Sequence, residues 1–141
     1  LMCHQLGIVE RYSPTTALMF VKCGEDKHHR RPWHYAIYIT HGSGGGRKEG
    51  GKINRLADYA TIVDADVYIC AHTHLPAAFK TSYYRASFNH GEVYKTEKLF
   101  INTASALDYG GYGDIQGFKP ASNSYPTIHL HDKKKRATVT M

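Results

Sequence analysis

Three histidines, His41, His72 and His74, carry the strongest chemical signal in the chain. A neutral imidazole ligates zinc, manganese, iron and related divalent ions. His72 and His74 stand two residues apart, a spacing that lets both rings reach one ion where a strand gives way to a loop. If His41 and His72 also end neighbouring parallel strands, all three imidazoles emerge at one sheet edge, where open α/β sheets bind their ligands. The plain alternative for His72 and His74 is a hydrogen-bonded polar pair at a strand end. The other histidines, including His28, His29, His90, His129 and His131, read as surface or turn residues. Three imidazoles plus a water are also a catalytic zinc arrangement, so a self-contained mononuclear metal hydrolase is one reading.

A second pattern lies between the first two of these histidines. Gly46-x-x-x-x-Gly51-Lys52 nearly spells a phosphate-binding P-loop. Ile53 occupies the position where that loop needs a hydroxyl for magnesium, and the following strand ends in histidines rather than an aspartate. Nucleotide hydrolysis is therefore not expected. A backbone-lined phosphate pocket, with Arg47 or Lys52 supplying charge, is the weaker expectation that remains.

The elements that must position these residues follow from periodicity. Residues 17–23 form a short apolar run, and in residues 34–40 Tyr35, Ile37 and Ile39 alternate with His34, Ala36 and Tyr38. Both faces of the second run are largely apolar, as in an interior strand covered on two sides. Ile53, Leu56, Ala57, Ala60 and Val63 recur at helical spacing, which predicts a helix over 52–63. Residues 64–70 read as a buried strand. Strand, helix, strand makes a βαβ unit with parallel strands and a right-handed crossover.

Past Pro76 the texture changes to alternating aromatic-rich runs. Segments 77–85, 88–95 around Asn89-His90-Gly91, and 98–103 are expected as antiparallel strands. Residues 106–124 lack periodicity, and a loop of that length in a compact domain is usually functional or mobile. Segments 125–131 and 136–140 are expected to form a closing hairpin around His131-Asp132-Lys133-Lys134. Residues 1–16 read as loop or the end of a helix, broken at Ser13-Pro14. The fold class is α/β (α+β): one βαβ unit followed by mostly antiparallel strands.

Composition sets outer bounds. A chain of 141 residues, 42% hydrophobic, suffices for a single domain with a core. No apolar run approaches the roughly 18–20 residues of a membrane helix, and residues 1–10 lack a signal-peptide pattern, which places the expectation in the cytoplasm with no membrane partner. Cys3, Cys23 and Cys70 are odd in number and widely spaced, so reduced thiols are expected, with Cys23 and Cys70 in the core. The net charge of +6 is concentrated in residues 27–31, Arg47-Lys48 and residues 133–136. Such clusters favour an anionic partner. A non-catalytic basic module that binds nucleic acid through the glycine-rich turn and the 133–136 run is the reading from a different functional class.

Ile39-Thr40-His41-Gly42, the following helix, and Asp66-Val67-Tyr68-Ile69-Cys70-Ala71-His72-Thr73-His74 resemble the last two metal-binding motifs of the calcineurin-like metallophosphoesterases, with Ala71 where that family usually has glycine. Asn102-Thr103-Ala104-Ser105 resembles the family's Asn-x-Gly-Ser turn, and His41-Gly-Ser-Gly-Gly-Gly-Arg47 is similar to a phage and bacterial branch. The resemblance implies part of a β-sandwich flanked by helices, and a two-metal phosphoester hydrolase acting on phosphodiesters. By motif, His41 and His72 would bind one ion and His74 the other, with Mn, Fe, Zn or Mg as the metal. Asn102 would sit at the substrate side or cap its turn.

The family's earlier motifs, Asp-x-His, Gly-Asp-x-x-Asp and Gly-Asn-His-Glu/Asp, read as absent from the chain. They hold the bridging aspartate, the asparagine ligand and the histidine beside the leaving group. Residues 1–141 are accordingly expected to be a partial domain, the C-terminal portion of such an enzyme, nearly inert alone. A missing N-terminal half or a homo-oligomer would cover the sheet edge and apolar surface a partial domain exposes.

Overall fold

The computed structural model describes residues 2–24, 31–44, 48–105, 110–117, 120, 122 and 124–141. A short helix α1 (Met2–Gln5) and a 3-10 turn (Val9–Arg11) precede strand β1 (Thr16–Cys23). Then come β2 (Trp33–Thr40), helix α2 (Glu49–Asp58) running into a 3-10 turn (Tyr59–Thr61), and β3 (Val67–Cys70). A long hairpin of β4 (Ala77–Ser87) and β5 (Glu92–Asn102) follows, then helix α3 (Tyr112–Ile115) and the hairpin β6 (Thr127–Leu130) and β7 (Ala137–Thr140).

The main sheet has five strands in the order β1-β2-β3-β5-β4. β2, β3 and β5 are parallel neighbours, while β1 and β4 run antiparallel at the two edges. The expected strand-helix-strand unit is therefore present, and α+β is the class. Period-two alternation divides the core into two layers. On one face Tyr68, Cys70 and Phe100 pack with Leu56 and Ala65 beneath α2. On the other, Ile37, Val67, Leu99 and Ile101 pack against Ile128, Leu130, Ala137 and Val139 of the β6–β7 hairpin. Fully burying each such side chain contributes roughly 1.5–3 kcal/mol.

One residue holds the second layer to the first. The hydroxyl of Tyr35, on β2, donates to the carbonyl of His131 at 2.6 Å and accepts from the amide of Arg136 at 3.0 Å. The expected closing hairpin is thus present, and residues 133–136 belong to its turn, docked on the sheet. Lys135 within it pairs with Asp66 at 2.8 Å.

Several boundaries differ from expectation for local reasons. Residues 92–95 and 98–102 of the two expected segments belong to a single strand, β5, because Thr96-Glu97 between them offers no glycine or proline to turn the chain, while residues 88–91 form the turn before it. α2 begins at Glu49 rather than at residue 52, and Ile53 is exposed, whereas Leu56 is buried. Cys70 is buried and Cys23 half-buried, both free thiols. Within 106–124 the structure places α3, and the rest of that segment lies largely outside the described residues.

Two surface features complete the architecture. β1 pairs only with β2, and its outer residue Phe20 is 73% exposed beside exposed Leu18 and Met19. The β4–β5 hairpin extends past the end of β3, which pairs with Leu99–Asn102 alone, so residues 82–86 and 92–95 are exposed on a two-stranded ribbon. Among the described residues no helix is long and apolar enough to cross a membrane.

Candidate metal centre

The three parallel strands end at one edge, and each delivers a residue singled out from sequence. His41 follows β2, His72 and His74 follow β3, and Asn102 closes β5. Parallel pairing sets this alignment: Thr40 lies opposite Cys70, and Cys70 opposite Asn102.

His41 and His72 meet directly. Nε2 of His41 lies 3.1 Å from Nδ1 of His72, with the rings edge to face. As a hydrogen bond, one ring donates and the other accepts. The same spacing also suits a shared ion, because two nitrogens each about 2.0–2.1 Å from one zinc-like cation are roughly 3 Å apart. His74 lies close enough for the charge of its neighbours to act on it. Burial, then His72, Lys52 and His41, lower its pKa. Among the described residues no group of three or more His, Cys, Asp or Glu side chains forms a complete metal-holding set. The His41–His72 pair fits half of one.

The loop carrying His72 and His74 is tightly coiled. Both residues adopt left-handed backbone, with φ of 65° and 53°, and the Thr73 amide donates to the Ala71 carbonyl at 2.7 Å. Non-glycine residues in this region cost about 1–3 kcal/mol each, so neighbours must hold them there. Asn102, 3% exposed, donates through Nδ2 to Thr73 Oγ1 at 2.5 Å and to the Leu75 carbonyl at 2.6 Å. Lys52 Nζ donates to the Thr73 carbonyl at 2.8 Å.

The His41 loop is braced by other means. Its Gly42 amide donates to Thr40 Oγ1 at 3.1 Å, and the Ala71 amide donates to the Thr40 carbonyl, tying the two loops together. Gly42 has φ of 81°, and a Cβ there would lie 2.6 Å from Cys70 Sγ. Arg55 Nη1 donates to the Ser43 carbonyl. α2 thus pins one histidine loop with Lys52 and the other with Arg55, one helical turn apart on the same face. Arg55, Thr40 and Thr73 were not singled out from sequence; the i, i+3 pairing of Lys52 with Arg55 was the available signal.

Cys70 lies beneath Gly42 but is no ligand candidate. Burial pushes its thiol pKa up, and burial together with the Cys70 contact raises Tyr59 to about 12. Both stay protonated at neutral pH.

Arg47 lies outside the described residues. Lys52 reaches the site, but its ammonium donates to the Thr73 carbonyl rather than standing free for a phosphate. Gly50 and Gly51 are helical, with nothing within 4 Å of an added Cβ. Gly51→Ala is therefore expected to stabilise the protein by about 0.5–1 kcal/mol in urea unfolding, because alanine is the better helix former. A loss of stability would restore the close-approach role that a phosphate loop requires.

Asp26-Lys27-His28 does spell Asp-x-His, which corrects the reading of that motif as absent. It lies outside the described residues. The strand before it, β1, is antiparallel to β2 and ends with Cys23 opposite Trp33, at the sheet edge away from His41.

The lowered pKa of His74 has a defined pH consequence. A depressed folded-state pKa favours the fold above the ordinary histidine value of about 6.5, and that contribution is lost as pH falls through the depressed value. NMR titration of His74 is expected to give a midpoint below the ordinary value, moving upward in Lys52→Gln. An unshifted midpoint would contradict the arrangement.

Comparison of the chain with protein families, with curated proteins and with solved structures finds no match.

Proposed function

We propose that the chain contributes the histidine side of the metal centre of a phosphoester hydrolase acting on phosphodiesters. The observation that carries this reading is the 3.1 Å approach of His41 and His72 at the ends of adjacent parallel strands. Support also comes from the order of the residues along the edge, with a buried asparagine closing the third strand. In this reading His41 and His72 hold one divalent cation and His74 a second. Imidazole ligation favours Mn, Fe or Zn over Mg. Bound there, the cations would act as Lewis acids that stabilise charge on the attacking and leaving oxygens of the ester.

The remaining roles belong to the chain's own residues. Asn102 and Lys52 hold the left-handed loop that aims His72 and His74, Arg55 and Thr40 hold the loop that aims His41, and Cys70 stays a neutral thiol beneath them. The carboxylates of such a centre are assigned to a polypeptide segment bearing the Asp-x-His, Gly-Asp-x-x-Asp and Gly-Asn-His motifs.

Calorimetric titration of the 141-residue chain with Mn, Zn and Co is expected to show weak binding that disappears in His41→Ala. Hydrolysis of a chromogenic phosphodiester is expected to be negligible for the chain alone and metal-dependent once the motif-bearing segment is supplied. Absence of metal binding, or an inactive assembly with every divalent ion, overturns the reading. One tightly bound ion with robust turnover by the chain alone would replace it with the self-contained three-histidine hydrolase.

A further inference from the structure

A cleft lies away from the histidines. It has a volume of about 760 Å³ and is bounded by the start of β2, the β4–β5 ribbon and the turn of the β6–β7 hairpin. Trp33 begins β2 whereas His41 follows its end, so the length of the strand separates cleft and histidines, about 25 Å at 3.3 Å per residue. Five cationic side chains line it against two carboxylates, Asp66 and Glu97. Those carboxylates are already engaged, Glu97 with Lys80 at 3.4 Å and Asp66 with Lys135 at 2.8 Å. Lys95, Lys134 and Arg136 remain, with no ion pair among the described residues. Two large aromatic residues, Trp33 at 39% and Tyr94 at 46% exposure, also line the cleft.

We infer that this cleft binds single-stranded nucleic acid, with Lys95, Lys134 and Arg136 on the phosphates and Trp33 and Tyr94 as stacking surfaces for the bases. Uncommitted cations and exposed aromatics in one cleft are what an unpaired strand needs, because every base has a stacking face and every linkage a charge. An isolated phosphate would not use the rings or fill the volume. A duplex keeps its bases stacked on one another, so the rings would find no partner, and α2 lies on the opposite face of the sheet from the β6–β7 hairpin and offers nothing to a groove here. The inference does not depend on the proposed metal chemistry.

The chain's single tryptophan lines the cleft and reports on it directly. In EDTA, an oligothymidylate of about twelve nucleotides is expected to quench Trp33 fluorescence. Three phosphate contacts predict a slope of about −2 for log affinity against log salt, near −0.7 per contact. The triple variant Lys95→Gln, Lys134→Gln, Arg136→Gln is expected to lose at least about tenfold in affinity at roughly 0.1 M salt and to flatten the slope. Tyr94→Ala, on the exposed ribbon, is expected to lose about tenfold through stacking. His41→Ala is expected to bind like the unsubstituted chain. The inference is overturned if there is no quenching, if the triple variant binds normally, if a duplex of equal length binds as tightly, if inorganic phosphate competes at equal concentration, or if His41→Ala abolishes binding.

Discussion

Phe100→Ala is expected to destabilise the fold by about 3–5 kcal/mol. Phe100 is fully buried in the middle of the sheet. Its ring lies parallel between two others, 4.8 Å from Tyr68 and 5.0 Å from Phe79, each within 9° of coplanar. Removing it deletes both stacked contacts and leaves a hole against the Leu56 face of α2, which the paired backbones of β3 and β4 on either side cannot close. Small domains have only about 5–15 kcal/mol in total, so much of the margin would go. The measurement is the urea midpoint at unchanged slope. Phe100→Leu, which keeps most of the volume, is expected to cost less than half as much. A cost below about 1 kcal/mol for the alanine variant would mean that the layer beneath α2 collapses freely and is not the rigid support assigned to it.

His72→Gly should move stability and metal binding in opposite directions. At φ of 65° the histidine occupies a region that glycine enters without penalty. Removing that strain is expected to raise the unfolding free energy by about 1 kcal/mol. The same change deletes one of the two nitrogens that meet at 3.1 Å. Since loss of a residue that merely supports a ligand costs about 10–100-fold in metal affinity, loss of the ligand should cost at least about 100-fold. His72→Ala separates the two effects, because it removes the imidazole while keeping the strained backbone. If His72→Gly lowered stability, the left-handed loop would not be strained. If it left metal affinity intact, His72 would not be a ligand.

Much of the site's frame was legible in the sequence because it rests on local patterns. The alternation around Tyr35, Ile37 and Ile39, the helical spacing of Leu56, Ala60 and Val63, and the apolar run before Cys70 together define a strand-helix-strand unit. The unit places His41 and His72 at one edge through parallel register alone. What stayed hidden depends on contacts distant in sequence. The closing hairpin was expected from its two strand-like segments, but its docking was not, because Tyr35 bonds to carbonyl and amide groups about a hundred residues later. No local pattern signals that Arg55 donates to the Ser43 carbonyl, in the loop before its helix. Lys98 is 7% exposed, an unusual burial that only its partners Asp64 and the Tyr68 hydroxyl explain. β5 also runs on through Thr96-Glu97, the gap between two expected segments, because neither residue bends a chain.

The β4–β5 ribbon gives the molecule two zones of different persistence. Where β5 lies beside β3, its amides are sealed between two covered layers and open only with the whole fold. Beyond that point the two strands pair with no third strand among the described residues, and a lone two-stranded ribbon is marginal in water. Amides of residues 82–95 should exchange with deuterium by local fraying, ahead of those in β3 and the end of β5. Trypsin should nick the chain first at Arg85 or Lys95, leaving the histidine edge and its supporting sheet intact.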